Sequence, residues 1–113
     1  MNITSGPFKI IDQQKECFRI KIQDLLTSAE AAALREEVSG CIDSAYDIIY
    51  IDAKDVNEAD LSGINEVINS HYILEKASKK LIFVYKKESV VEKWVETSGL
   101  DKFVATAIIP ADQ

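Results

Sequence analysis

Ile48-Ile49-Tyr50-Ile51 and Leu81-Ile82-Phe83-Val84-Tyr85 are two short, unbroken apolar runs. Runs of this length are the pattern of strands covered on both faces in a parallel sheet. Both are therefore expected to be central strands, with a helical stretch opening between them near Asp60. Two capping boxes lie outside this pair, Thr27-Ser28-Ala29-Glu30 and Ser89-Val90-Val91-Glu92. In each, a hydroxyl and a carboxylate satisfy backbone N–H groups that the first helical turn leaves without partners. The first opens an alanine-rich helix to about Ile42, whose Ala31, Leu34, Val38, Cys41 and Ile42 form one buried stripe. The second leads through Val91, Trp94 and Val95 to a helix end at Gly99.

Upstream, Phe8 to Ile11 and Cys17 to Ile22 flank the polar Asp12-Gln13-Gln14-Lys15. A polar turn between two such runs predicts an antiparallel hairpin, and the alternation of Phe18, Ile20 and Ile22 with Arg19 and Lys21 gives it one solvated face. Phe103 to Ile109 reads as a last strand, stopped by Pro110. The order is strand, strand, helix, strand, helix, strand, helix, strand. It predicts an α/β fold with a mixed sheet, an N-terminal antiparallel hairpin followed by βα units, and helices packed on the sheet.

The length of 113 residues fits a single domain spanning 1–113. Thirteen Lys and Arg against nineteen Asp and Glu leave a net charge of −6, which repels phosphate backbones and anionic lipid heads. Nucleic acid and membrane surfaces are thus poor partners, and no apolar run approaches the ~18 residues of a membrane helix. A cytoplasmic location is expected. Cys17 and Cys41 have neither disulfide-framework nor CxxC spacing and are read as reduced packing residues.

Ile48 to Asp52, a loop with Val56, then Asp60-Leu61-Ser62-Gly63-Ile64 resembles the signature of the STAS domain, the domain of bacterial anti-sigma factor antagonists. Ser98-Gly99-Leu100-Asp101-Lys102-Phe103 is similar to the family's ending of the third helix. The resemblance implies a STAS-type fold and a binding protein rather than an enzyme, with no cofactor. The family motif reads Asp-Ser-Ser/Thr-Gly, so the resemblance aligns Asp60 with its acid, Ser62 with its phosphoacceptor and Gly63 with its glycine. Leu61 stands where the pattern prefers Ser. Unphosphorylated, such a protein binds an anti-sigma factor that is also a serine kinase; phosphorylated, it lets go, and a serine phosphatase resets it. An accessory role on a transporter ATPase, or in signalling unrelated to a sigma factor, would keep the fold and change the partner.

Read on residues alone, Ser62 lies in a first helical turn, where unpaired N–H groups and the positive end of the helix dipole tolerate a phosphate. The same position suits an ordinary helix-start serine. At ~100° per residue, Leu61, Ile64, Val67, Ile68, Tyr72 and Leu74 are expected on the buried side, with His71 packed among them. Ser62, Asn65, Asn69 and Ile73 are expected on an exposed side, as a partner-binding patch together with Asp60 and Gly63, although Ile73 equally suits packing under a neighbouring loop. Asp52, Asp55 and Asp60 read as loop solvation and helix capping rather than a metal or acyl-phosphate site. Lys76, Lys79, Lys80, Lys86 and Lys87 read as solvated strand ends, with docking of an acidic partner surface as the lesser reading. A receiver domain phosphorylated on Asp52 would need five strand–helix units and an acidic pair after the first strand, and a hydrolase lacks a nucleophile–base pair.

Overall fold

The computed structural model describes residues 2–9 and 16–111. In chain order the elements are β1 (Ile3–Lys9), β2 (Glu16–Leu26), α1 (Ser28–Cys41), β3 (Ile48–Ala59), α2 (Leu61–Lys76), β4 (Lys80–Lys86), α3 (Val90–Ser98), a short 3₁₀ turn (Leu100–Lys102) and β5 (Ala105–Ile109). They form one five-stranded sheet in the order β1-β2-β3-β4-β5. Only β1 is antiparallel to its neighbour; β2 to β5 run parallel. This is the mixed sheet with an N-terminal antiparallel pair that the sequence predicts. The pair begins earlier than Phe8, at Ile3, while Ile10, Ile11 and the turn residues Asp12 to Lys15 lie outside the described residues.

Sequential parallel strands joined by right-handed crossovers must carry all their helices on one face. Accordingly, Leu34 and Val38 of α1, Ile64, Val67 and Leu74 of α2, and Val91 and Val95 of α3 share one core with Ile20, Ile22, Ile49, Ile51, Leu81 and Phe83. The alternation along β4 is equally direct: Leu81, Phe83 and Tyr85 are buried, whereas Ile82 and Val84 are half-buried. The expectation that β3 and β4 are covered on both faces is therefore corrected. One face is sealed by helices, and the other retains solvent contact.

Three boundaries also differ. The stretch around Val56, expected as a loop, is strand, because β2 continues to Leu26 and pairs with Asp55 to Ala59 across two register shifts. Asp24 sits at the second shift with φ 67°, a left-handed conformation that Asp tolerates better than most residues. The last strand starts at Ala105, after the 3₁₀ turn, and Phe103 is exposed. Ile42 is exposed beyond the last turn of α1, outside the stripe of Leu34, Val38 and Cys41.

The N-caps Thr27 and Ser89 fall where the sequence puts them, and of the two expected capping boxes the one at α1 forms in full. Thr27 N donates to Glu30 Oε1 at 2.8 Å and Thr27 Oγ1 accepts from the first turn of α1. At α3, Ser89 Oγ accepts from Glu92 N at 3.3 Å, while the Glu92 carboxylate accepts from Glu88 N at 2.9 Å. Gly99 closes α3 at φ 71°, the left-handed position that favours glycine.

Candidate functional site

The site starts at the carboxyl end of β3, where α/β sheets place function. There the chain leaves Ala59, turns at Asp60 and enters α2. Asp60 is the N-cap: its Oδ1 accepts from Gly63 N at 2.9 Å and its Oδ2 accepts from Ser28 N at 3.1 Å. One carboxylate thus serves the first turns of α1 and α2 together. Asp60 N donates to Leu26 O, and Trp94 Nε1 of α3 donates to Ala59 O at 2.9 Å. The start of α2 is consequently tied to β2, to α1 and to α3.

Gly63 is buried where α2 passes closest to β2; a Cβ placed there would lie 2.1 Å from Leu26 O. That approach fixes the rotation of the helix. Leu61 and Tyr72 are turned about 200° and 180° from Gly63, so both face solvent. They are 48% and 43% exposed, which corrects their expected burial. Ile64, Val67 and Leu74 are buried as expected, and Ile68 is half-buried. His71 is half-buried on a flank, with its Nε2 3.7 Å from the Glu75 carboxylate and its ring edge-on to Tyr72.

Ser62, Asn65 and Asn69 are exposed, and among the described residues no hydrogen bond engages the Ser62 hydroxyl. Ile73 does not belong to that exposed set. It is half-buried, packs against the core, and lines a shallow apolar groove with Ile42 and Ala77. The cause is position along the helix rather than rotation: near the end of α2, Ile73 meets Ile42 at the C-cap of α1 and Ala77. Gly63 itself, though in the motif, offers no surface; it lets the helix seat.

Glu66 escaped the sequence reading. It is 4% exposed, on the buried side of α2. Its Oε1 accepts from Arg35 Nη2 of α1 at 2.6 Å and its Oε2 from Asn69 Nδ2 at 3.0 Å. The hydrogen bond from Arg35, and then the attraction between the two charges, raise the Arg35 pKa above its ordinary value. The available signal was spacing: Glu66 shares a helix face with Gly63, Val67, Ser70 and Leu74. A carboxylate on that face requires a cation from a neighbouring element.

Asp52 and Asp55 are strand residues, not loop residues. Asp52 is buried and held by Lys54 at 2.9 Å and Arg19 at 3.9 Å, and Asp55 lies 3.3 Å from Lys21. Only Asp60 of the three acids caps a helix. Lys79 is likewise engaged, donating to Ser44 O and Tyr46 O and pinning the loop before β3. Cys17 and Cys41 are free and buried, and burial pushes the Cys41 thiol up, so it is a poor nucleophile. Among the described residues no helix is long and apolar enough to cross a membrane.

A family model for the STAS domain matches residues 9–111. The chain belongs to the STAS family. Solved structures agree on the fold. An anti-sigma factor antagonist from Mycobacterium paratuberculosis, 15% identical, superposes on this STAS domain with a TM-score of 0.71, over 92% of this chain and 84% of its own. The anti-sigma factor antagonist SpoIIAA in its unphosphorylated form is 19% identical, with a TM-score of 0.68 over 92% of this chain and 88% of that one. The Bacillus cell fate determinant SpoIIAA in the phosphorylated form, also 19% identical, gives 0.61 over 92% and 91%. At these identities the likeness is one of fold. No curated protein matches the chain.

Proposed function

We propose that this STAS domain is a phosphorylation-controlled binding switch, an anti-sigma factor antagonist that binds an anti-sigma serine kinase through the start of α2 and releases it when Ser62 is phosphorylated. The observation that carries the reading is the Ser62 hydroxyl itself. It is exposed, without a hydrogen bond among the described residues, and sits in the first turn of a helix whose start is anchored to three other elements. A kinase can reach it without unfolding the helix. Near the N-terminus of α2 a phosphate is favoured by about 0.3–1 kcal/mol, which offsets repulsion from Asp60 and Glu58. The domain would then keep its fold, and the added charge of about −1.5 to −2 would act on the partner that must desolvate it.

The contact surface in this reading is Ser62, Asn65 and Asn69, extended by the exposed Leu61 and Tyr72. Asp60 and Gly63 hold it in place from below, and Ile73 lies at its margin. Nearly uncharged faces with an aromatic anchor are typical of interface centres. The protein serves as substrate and ligand; the kinase and a serine phosphatase supply the catalysis, within the cytoplasm. Leu61, where the family pattern prefers Ser, favours a second partner class, an apolar pocket on a transporter ATPase or another regulator.

Incubation with the partner kinase and ATP, followed by intact mass and peptide mapping, tests the acceptor. One added phosphate on Ser62 is expected. Phosphate found only on Ser5, Ser28, Ser89 or Ser98 would remove the assignment.

A further inference from the structure

Among the described residues no helix packs on the second face of the sheet, although Cys17 and Asp52 on it are buried. Strand register sets two rows across it: Gly6, Arg19, Tyr50, Ile82 and Ala105, then Thr4, Lys21, Asp52, Val84 and Ala107. Tyr50, Ile82, Val84, Ala107 and the neighbouring Ile109 are half-buried. They form an apolar lane from β3 to β5, two strand spacings or about 10 Å wide, which is about the diameter of one α-helix.

The rim of this lane is basic. Arg19, Lys21, Lys54, Lys80 and Lys86 lie on the face; among the described residues Asp52 pairs with Lys54 and Arg19, and Asp55 with Lys21, which leaves Lys80 and Lys86 without an anionic partner there. A chain of net charge −6 thus carries net positive charge among the described residues of this face. Beside the lane, Thr4, Gly6, Arg19 and Lys21 wall a polar hollow of about 160 Å³.

We propose that this face is a docking surface for an acidic amphipathic helix of a partner protein. The helix's apolar stripe lies on the lane, and its flanking carboxylates meet the rim. α/β sheets are ordinarily covered on both faces, and one helix fills the width available. A lipid surface is less suited, because none of the lane residues is among the exposed large apolar side chains that insertion needs. The surface is independent of Ser62, since α2 covers the opposite face of the sheet.

The test titrates the full chain with a labelled peptide of about 18 residues, long enough for five helical turns, with leucines on one face and glutamates beside them. Saturable binding is expected, weakened by salt, with amide shifts centred on β3, β4 and β5. A lysine-flanked version of the peptide should not bind. Lys80→Glu with Lys86→Glu should weaken binding about tenfold with an unchanged melting midpoint. Ser62→Asp should bind the peptide as the unaltered chain does, which separates this surface from the switch. The peptide charge swap needs no variant, so the result stands whatever the substitutions do to folding. No saturable binding, shifts centred on α2, equal affinity for the two peptides, or preference for vesicles of equimolar phosphatidylserine and phosphatidylcholine would each overturn the proposal.

Discussion

Gly63 illustrates how one atom position governs a site. Any other residue would set a Cβ 2.1 Å from Leu26 O, and the obstacle is backbone, which cannot swing aside. Gly63→Ala is expected to destabilise the domain by at least about 3 kcal/mol, at the upper end of overpacking costs, because helix and strand must part. Chemical denaturation checks this, and an unchanged midpoint would mean that α2 is not seated as described. Glu66 is the second decisive residue. Arg35→Ala leaves its buried carboxylate without the cation that now donates to it at 2.6 Å, and should destabilise the domain by about 1–3 kcal/mol, the cost of a buried polar group that loses its partner. Urea midpoints decide this; an unchanged midpoint would contradict a buried Glu66 that depends on Arg35.

For the elements, the rotation of α2 is the point most open to test. Ile73 packs against the core, whereas Tyr72 faces solvent. Ile73→Glu is expected to lower the melting midpoint by several degrees, and Tyr72→Glu to leave it nearly unchanged, about ±0.5 kcal/mol as for ordinary surface positions. Thermal melts showing the reverse order would restore the rotation read from the sequence. That reading failed for a physical reason: Leu61 and Tyr72 are apolar and at helical spacing, yet large apolar side chains are common on surfaces. What chose between two similar stripes was Leu26, distant in sequence. The order of strands and helices was legible because capping boxes and apolar runs are local signals. The extension of β3 was not, since Lys54, Asp55, Asn57 and Glu58 look like loop, and only pairing with the bulged end of β2 makes them strand. Asp60, Ser62 and Gly63 were legible as a motif; the tie from Asp60 to Ser28 and the Glu66–Arg35 pair join separate elements and left no local trace.

Across the whole molecule, the two sides of the sheet are unequal. Among the described residues, one side carries the three helices and, at the end of β3, the exposed Ser62; the other carries no helix and is net basic. The proposed switch requires no change of fold, because Asp60, Gly63 and Trp94 hold the start of α2 without using the Ser62 side chain. Ser62→Ala should accordingly retain both stability and partner binding, while Ser62→Asp should weaken the complex by about 1–3 kcal/mol, the scale of burying a new charge against like charges. Calorimetric titration of the partner kinase with the unmodified and the Ser62-phosphorylated protein, at matched salt, measures the switch itself. The unmodified form should bind and the phosphorylated form should bind at least about tenfold more weakly, with both melting at the same temperature. Equal affinity of the two forms would contradict a phosphorylation switch at Ser62.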